Sequence, residues 1–239
     1  MIDKTLNVFK EVFSGCTDHF LEVFSREIIP KAEVFYSFHE EEIAAEGFTF
    51  PIFTEIDGKT YKGLYLYGLC TLPNYRRQGR MGNILSEIDL FATQNGFDFA
   101  FLATDNCEAI KLYRKNGYNE LDISSKYHDF SSKSFVFEYV STEEYIENTF
   151  PDIYPEKEMR LSVLKASNEF LAPVKTKDGY FIYDVEDNTI YDYFPASYAK
   201  MLTEDGKAVN PKLLEDKYRY FLKKFTKMPD IKVINYIFD

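Results

Sequence analysis

Arg76, Arg77, Gln78, Gly79, Arg80, Met81 and Gly82 form a short basic loop set between an apolar run that ends at Leu72 and a helix-periodic run that begins near Gly79. Three guanidinium groups in so short a stretch, with glycines where bulk would block close approach, suit an anion carrying several charges. The position matters as much as the composition. Where a strand gives way to a helix, the first N–H groups of the helix lack intrahelical partners and carry the positive end of its dipole. A diphosphate fits that chemistry. The plainer alternative is an ordinary helix start with solvated arginines. The loop has neither the Lys-Ser/Thr pair of an NTPase P-loop nor the Gly-x-Gly-x-x-Gly of a dinucleotide fold.

The elements around this loop follow from periodicity. Asp3 can cap a first helix in which Leu6, Phe9, Val12 and Phe13 recur at helical spacing, and a second runs from Thr17 or Asp18 to Ile29 before Pro30. Ala32 to His39, Phe48 to Ile56 and Tyr61 to Leu72 read as an antiparallel meander, the last two runs joined by Asp57-Gly58. Met81, Ile84, Leu85, Ile88, Phe91 and Ala92 share one face of a helix over Gly79 to Gln94. Phe97 to Thr104 is a short apolar strand. Strand, helix and strand in succession imply a right-handed crossover between parallel strands, which puts the loop at a strand's carboxyl end. Asn106 to Asn116 is a further helix ended by Gly117, and Tyr118 to Ile123 with Ser134 to Val140 would close the sheet as a hairpin.

Ser141 opens a capping box with Glu144, and Pro151 and Pro155 follow, so a boundary is expected near residue 141, dividing the chain into 1–140 and 141–239. The second part reads as a helix around Glu156 to Glu169, a hairpin over Tyr180 to Val185 and Thr189 to Phe194, a helix from Pro211 to Lys227, and a last strand from Lys232 to Phe238. Leu214, Tyr218, Phe221, Leu222 and Phe225 form the stripe that supports the late helix.

Bulk properties narrow the function. A formal net charge of −11 disfavours a nucleic-acid partner and is compatible with a cationic small molecule. No apolar run is long enough for a membrane span and the start lacks a signal-peptide pattern, so a cytoplasmic protein is expected. Cys16, Cys70 and Cys107 have no paired spacing and read as reduced thiols. With only His19, His39 and His128 beside them, no metal site is expected.

The stretch Tyr-Arg-Arg-Gln-Gly-Arg-Met starting at Tyr75 resembles the Gln/Arg-x-x-Gly-x-Gly/Ala signature of the GNAT acetyltransferases, with Arg76 first and Gly79 as the central glycine. Asn106-Cys-Glu-Ala-Ile-Lys-Leu-Tyr113-Arg-Lys-Asn-Gly-Tyr118 resembles the second motif of that superfamily, in matching order and separation. The resemblance covers roughly residues 1 to 140, and Met81 departs from it where the family has glycine or alanine. It implies an α+β protein with the acyl-CoA N-acyltransferase fold, a mixed, splayed sheet flanked by helices, followed by a smaller α+β domain that walls the acceptor site. That second region resembles, more loosely, the carboxy-terminal domain of Eis-like proteins, in which the terminal carboxylate reaches the catalytic site. Asp239 is the residue such a role would fall on.

What the resemblance implies for chemistry is transfer of an acetyl group from acetyl-CoA to a primary amine by direct attack on the thioester. The N–H groups of Arg77, Gln78, Gly79, Met81 and Gly82 would hold the coenzyme A pyrophosphate, with Arg76 and Arg80 adding charge. The strand backbone at Leu69, Cys70 and Thr71 would pair with pantetheine as a pseudo-strand, and the N–H of Leu69 or Cys70 would polarise the thioester carbonyl. Asn106 would contact the cofactor, and Tyr113 would protonate the leaving sulfur. The proton acceptor stays open: Leu64-Tyr65-Leu66-Tyr67 offers no carboxylate where many relatives carry one, while Glu40, Glu41, Glu42, Glu46, Glu55 and His128 are other candidates. A non-catalytic acyl-CoA sensor is the alternative that Met81 and the missing carboxylate support.

Overall fold

A computed structural model describes residues 1–121, 137–177, 179–184, 189–194, 212–213 and 219–231. They fall into two compact units, the first built from Met1–Glu120 with Tyr220–Asp230, the second from Leu121–Arg219 with Ile231–Asp239.

The first unit opens with helix α1 (Ile2–Val12), whose Val8 and Phe9 are buried, and α2 (Asp18–Val23), capped by the Thr17 hydroxyl accepting from the Phe20 N–H at 3.0 Å. Strands β1 (Glu33–His39), β2 (Glu42–Ile56) and β3 (Lys59–Thr71) form the expected meander, with both pairs antiparallel. Helix α3 (Arg80–Gln94) and strand β4 (Phe99–Thr104) complete the crossover, β4 lying parallel to β3. Then come α4 (Cys107–Lys115) and the short β5 (Asn119–Glu120). One core lies between the sheet and α3 and α4, where Leu64, Leu66, Ile84, Leu85, Ile88, Leu102, Tyr113 and Phe221 pack together. On the sheet's other face α1 covers Ile43, Cys70 and Leu72, beside a run of aromatic rings from Phe9 through Phe24 and Phe48 to Tyr67.

The sheet closes differently from the sequence expectation. The strand lying between β4 and β5 is a late one, numbered β12 below (Arg219–Lys224), with Phe221 opposite Glu120 and Leu222 opposite Asn119. Those residues belong to the stretch read as a helix over Pro211 to Lys227. The stripe misleads because Phe221 and Leu222 are consecutive and both buried, as in a central strand covered on both faces, and such a run carries no period of two. Tertiary pairing then overrides helical spacing. The chain thus leaves the first unit after β5 and re-enters it at β12, rather than dividing once near residue 141. Lys223 fastens the returning strand, donating to Asp89 Oδ2 at 2.6 Å and to the Asn116 carbonyl at 2.7 Å, while the Tyr118 hydroxyl donates to Asp89 Oδ1 at 3.0 Å.

The second unit contains β6 (Glu138–Tyr139), α5 (Thr142–Asn148), β7 (Tyr154–Pro155), α6 (Lys157–Ala166), β8 (Leu171–Lys175), β9 (Tyr180–Asp184), β10 (Thr189–Phe194) and β11 (Lys212–Leu213). Its sheet runs β11-β10-β9-β8-β6. Ser141 caps α5 by accepting from the Glu144 N–H at 3.1 Å, but the Glu144 side chain turns to Lys175 and Tyr180 instead of closing a capping box. Buried Arg160 ties α6 to the end of α5 through the Thr149 carbonyl (3.0 Å) and hydroxyl (2.9 Å). Glu138 and Tyr139, expected in a hairpin with the β5 segment, pair with β8. His128, the last strand from Lys232 and Asp239 lie outside the described residues. No described helix is long and apolar enough to cross a membrane, and no group of His, Cys, Asp and Glu among the described residues could hold a metal.

Candidate active site

Strands β3 and β4 are paired from Gly63↔Phe99 to Tyr65↔Phe101. Beyond that point β3 continues to Thr71 and β4 to Thr104 with no further pairing between them, so the two part and leave one edge of β3 open. Gly68 sits in this stretch with φ +58°, next to a register shift against β2 between Glu46 and Phe48. A Cβ at Gly68 would lie 2.7 Å from the Phe9 ring, so both conformation and space demand glycine. Such a shift bends a strand locally and helps it leave its neighbour. On the open stretch Leu69 packs toward α3 and Cys70 toward α1, which leaves the backbone of Leu69 to Thr71 as the polar surface of that edge.

The basic loop follows at the end of β3. Arg77 (φ +61°) and Gly79 (φ +80°) are left-handed, with Gln78 between them on the ordinary side. Alternation of this kind curls successive N–H groups toward a common point. Gly79 is the N-cap of α3 and supplies no side-chain cap, and the first intrahelical bond runs from the Asn83 N–H to the Gly79 carbonyl at 3.1 Å. The N–H groups of Arg80, Met81 and Gly82 are therefore left over, as at any helix start. Cβ atoms at Gly79 and Gly82 would meet nothing within 4 Å, so the space over these amides is open. Met81 packs its side chain into the core under α3, which reconciles its bulk with an exposed backbone.

The arginines differ in what they do. Arg77 is exposed and Arg76 donates through Nε to the Thr71 carbonyl at 3.1 Å. Arg80 is turned away onto β1, donating to the Phe38 carbonyl at 2.9 Å and to Ser37 Oγ at 3.1 Å, with its guanidinium over the Tyr75 ring. Its Nε also donates to Gln78 Oε1 at 3.3 Å, so the side chain ties the loop to β1.

At the carboxyl end of β4, Asn106 caps α4: its Oδ1 accepts from the N–H groups of Glu108 (2.9 Å) and Ala109 (3.3 Å). Tyr113, two turns on, is 6% exposed and packs within the α3 and α4 core against Tyr118 and Phe221.

These features are a splayed parallel pair, a basic loop opening a helix and a second capped helix. Residues 1–121 match the model of the acetyltransferase (GNAT) domain, which spans half of the chain. The chain belongs to the GNAT acetyltransferase family. Among solved structures, the GNAT fold seen here is similar to a probable N-acyltransferase from Enterococcus faecalis (TM-score 0.62, 13% identity, 93% of this chain and 69% of that one). It is similar also to a GCN5-related N-acetyltransferase from Anabaena variabilis (TM-score 0.62, 16% identity, 93% and 70%) and to Eis1 from Mycobacterium abscessus (TM-score 0.58, 13% identity, 83% and 58%). No curated protein matches the sequence.

Two further features of this GNAT unit depend on contacts between residues distant in the sequence. One is a cavity of about 480 Å³ between α1 and the β1–β2 turn, bordered by Glu11, Glu40, Glu41 and Glu42, with Tyr75 of the loop region at its side and Val8, Ile43 and Leu72 lining it. The other is Glu46. Read from sequence it belongs with the other glutamates near the β1–β2 turn, yet it is 0% exposed, with Oε1 3.9 Å from Cys70 Sγ and Oε2 without a partner among the described residues. Burial pushes its carboxyl up to about 8, and burial together with the Glu46 charge holds the Cys70 thiol well above the usual thiol range. The available signal was a charged residue inside the apolar run Ile43-Ala44-Ala45-Glu46-Gly47-Phe48.

Proposed function

We propose that the protein transfers an acetyl group from acetyl-CoA to a primary amine of a small cationic molecule, by direct attack on the thioester. Family membership supports acyl-CoA-dependent acetyl transfer, and the carrying observation for this chain is the open edge of β3 leading through the basic loop to a helix start with unpaired amides. The N–H groups of Arg77, Gln78, Gly79, Met81 and Gly82 hold the diphosphate, with Arg76 and Arg77 supplying charge. Pantetheine adds along Leu69 to Thr71 as an extra strand. Arg80 acts through its backbone and by bracing the loop. Asn106, its carboxamide oxygen committed to α4, has its N–H₂ left for the cofactor.

The thioester then lies where β3 and β4 part. The N–H of Leu69 or Cys70 polarises its carbonyl. The amine attacks, the C–N bond forms, the C–S bond breaks, and the Tyr113 hydroxyl gives its proton to the thiolate. The net charge of −11 and the glutamates around the cavity beside Tyr75 support a cationic acceptor.

Calorimetry with coenzyme A and thiol release from acetyl-CoA with spermidine, kanamycin and lysine test this reading. Heat on binding and thiol release are expected. Absence of heat at millimolar coenzyme A with folded protein would sink it, and binding without thiol release would leave a sensor instead.

A further inference from the structure

The reaction proposed above needs a group that takes a proton from the incoming ammonium, and no residue assigned so far does so. Leu64, Tyr65, Leu66 and Tyr67 place no carboxylate on β3, and Glu40, Glu41 and Glu42 are exposed. Glu46 stands apart. It is the one carboxyl with no solvent exposure among the described residues, and its Oε2 is a buried oxygen without a hydrogen bond. A buried, unpaired carboxyl oxygen opposes folding, and its retention calls for a role beyond packing.

Its surroundings suit proton transfer. On β2, Glu46 is flanked in register by Tyr36 of β1 and Cys70 of β3. The carboxyl leans toward β3, where the Cys70 thiol donates weakly to Oε1 at 3.9 Å. On its other side the half-buried Tyr36 hydroxyl shares a hydrogen bond of 2.9 Å with Thr5 of α1. Tyr36 and Cys70 are the titratable groups facing it from β1 and β3, with the charge of Arg76 felt at Cys70, while α1 contributes uncharged Thr5, Val8 and Phe9 to that layer. Cys70 packs with Val8, Ile43 and Leu72, which also line the glutamate-bordered cavity, so Glu46 sits behind that cavity's apolar wall. β2 and β3 are one strand spacing apart, about 4.8 Å, and a donor on the far edge of β3 adds a second. A carboxyl leaning over β3 closes that gap with one water.

We propose that Glu46 is the proton acceptor for the attacking amine, acting through a bridging water at the open stretch of β3. Its carboxylate takes one proton from the ammonium. The freed lone pair attacks the thioester carbon, Tyr113 protonates the leaving thiolate, and the second amine proton restores Tyr113. Glu46 returns its proton to solvent past Tyr36. Burial brings the carboxyl to about 8, so its charge changes near the pH at which it must work.

This rests on the acetyltransferase reading, and the test keeps the two apart. Thiol release from acetyl-CoA with spermidine, kanamycin and lysine is measured between about pH 6 and pH 10 for wild type, Glu46→Gln and Glu46→Asp, beside acetyl-CoA affinity and melting temperature. Glu46→Gln should stay folded and bind acetyl-CoA as wild type does, lower kcat by about 10²-fold or more, and lose the rise in rate through about pH 8. Glu46→Asp should recover part of the rate and keep a titrating limb. Infrared difference spectra of wild type against Glu46→Gln should contain a protonated-carboxyl band at neutral pH that fades near pH 8. A folded Glu46→Gln with wild-type rate and pH profile, or a carboxyl that titrates in the ordinary acidic range, overturns the assignment alone. A wild type that neither binds coenzyme A nor releases thiol overturns the function itself, and the role of Glu46 falls with it.

Discussion

Tyr113 of α4 lies against Phe221 of β12 with ring centroids 5.8 Å apart and planes at 50°, so the tyrosine proposed to protonate the leaving sulfur is held by a strand that arrives only after the second unit. Tyr113→Phe keeps this packing and removes only the hydroxyl. It should lower kcat by about 10²-fold or more while acetyl-CoA affinity holds. Phe221→Leu should cost roughly 1–2 kcal/mol in a urea melt and also reduce kcat, because the ring beside it loses its stop. Equal losses in binding and rate for Tyr113→Phe would argue that the residue is core and nothing more.

Gly82 offers a test in which stability and binding move in opposite directions. It lies in the first turn of α3 with open space where a Cβ would stand, so Gly82→Ala should raise stability, by up to about 1 kcal/mol from helix propensity. If its N–H faces the diphosphate, the added methyl crowds the ligand, and coenzyme A affinity should fall about tenfold. Gly79→Ala, at φ +80°, should instead lose about 1 kcal/mol along with affinity. Isothermal titration beside thermal melts reads both quantities.

Arg77 and Arg80 should separate in the same way. Arg77→Ala removes an exposed guanidinium that makes no hydrogen bond or ion pair among the described residues, and should leave the melting temperature within a degree or so while weakening coenzyme A in a salt-dependent manner. Arg80→Ala releases the Phe38 carbonyl and Ser37 and should destabilise the fold by about 1 kcal/mol. Equal stability losses for the two would remove the distinction.

Glu46 also sets a pH dependence of stability. Its carboxyl rises from 4.5 to about 8 on folding, so between these values the folded chain holds a proton that the unfolded chain has lost. The stabilising proton is fully present below about pH 4.5 and its contribution declines as pH climbs to 8. Cys70 and Tyr36, both raised, stay neutral across that window. Urea unfolding should therefore give a slope for wild type that Glu46→Gln flattens, with the variant the more stable of the two at pH 8. An unchanged slope would mean that Glu46 is ionised in the folded protein.

The loop and its flanking elements were readable because each signal there is local. Gly79 begins α3, Asn106 caps α4 and the apolar stripe from Ile84 to Ala92 faces the core, all as periodicity and capping chemistry require. What escaped was non-local. Nothing near Phe221 and Leu222 tells that β4 and β5 leave a place between them, and two adjacent buried residues fit a helix stripe as well as a covered strand. Glu46 was one of several candidate carboxylates in the sequence, and nothing local set it apart: its burial depends on α1 and on Cys70 across the strand pair, whereas its sequence neighbours include the exposed Glu40, Glu41 and Glu42.

The late return of β12 bears on how this protein can be made and cut. During synthesis the β4 edge has no partner until about a hundred further residues have emerged, a long wait for a buried apolar margin. A fragment trimmed at residue 121, where the family match stops, would lack Phe221 under Tyr113 and Lys223 on Asp89. The stretch that carries the family signature thus takes its final brace from residues that come about a hundred positions later in the chain.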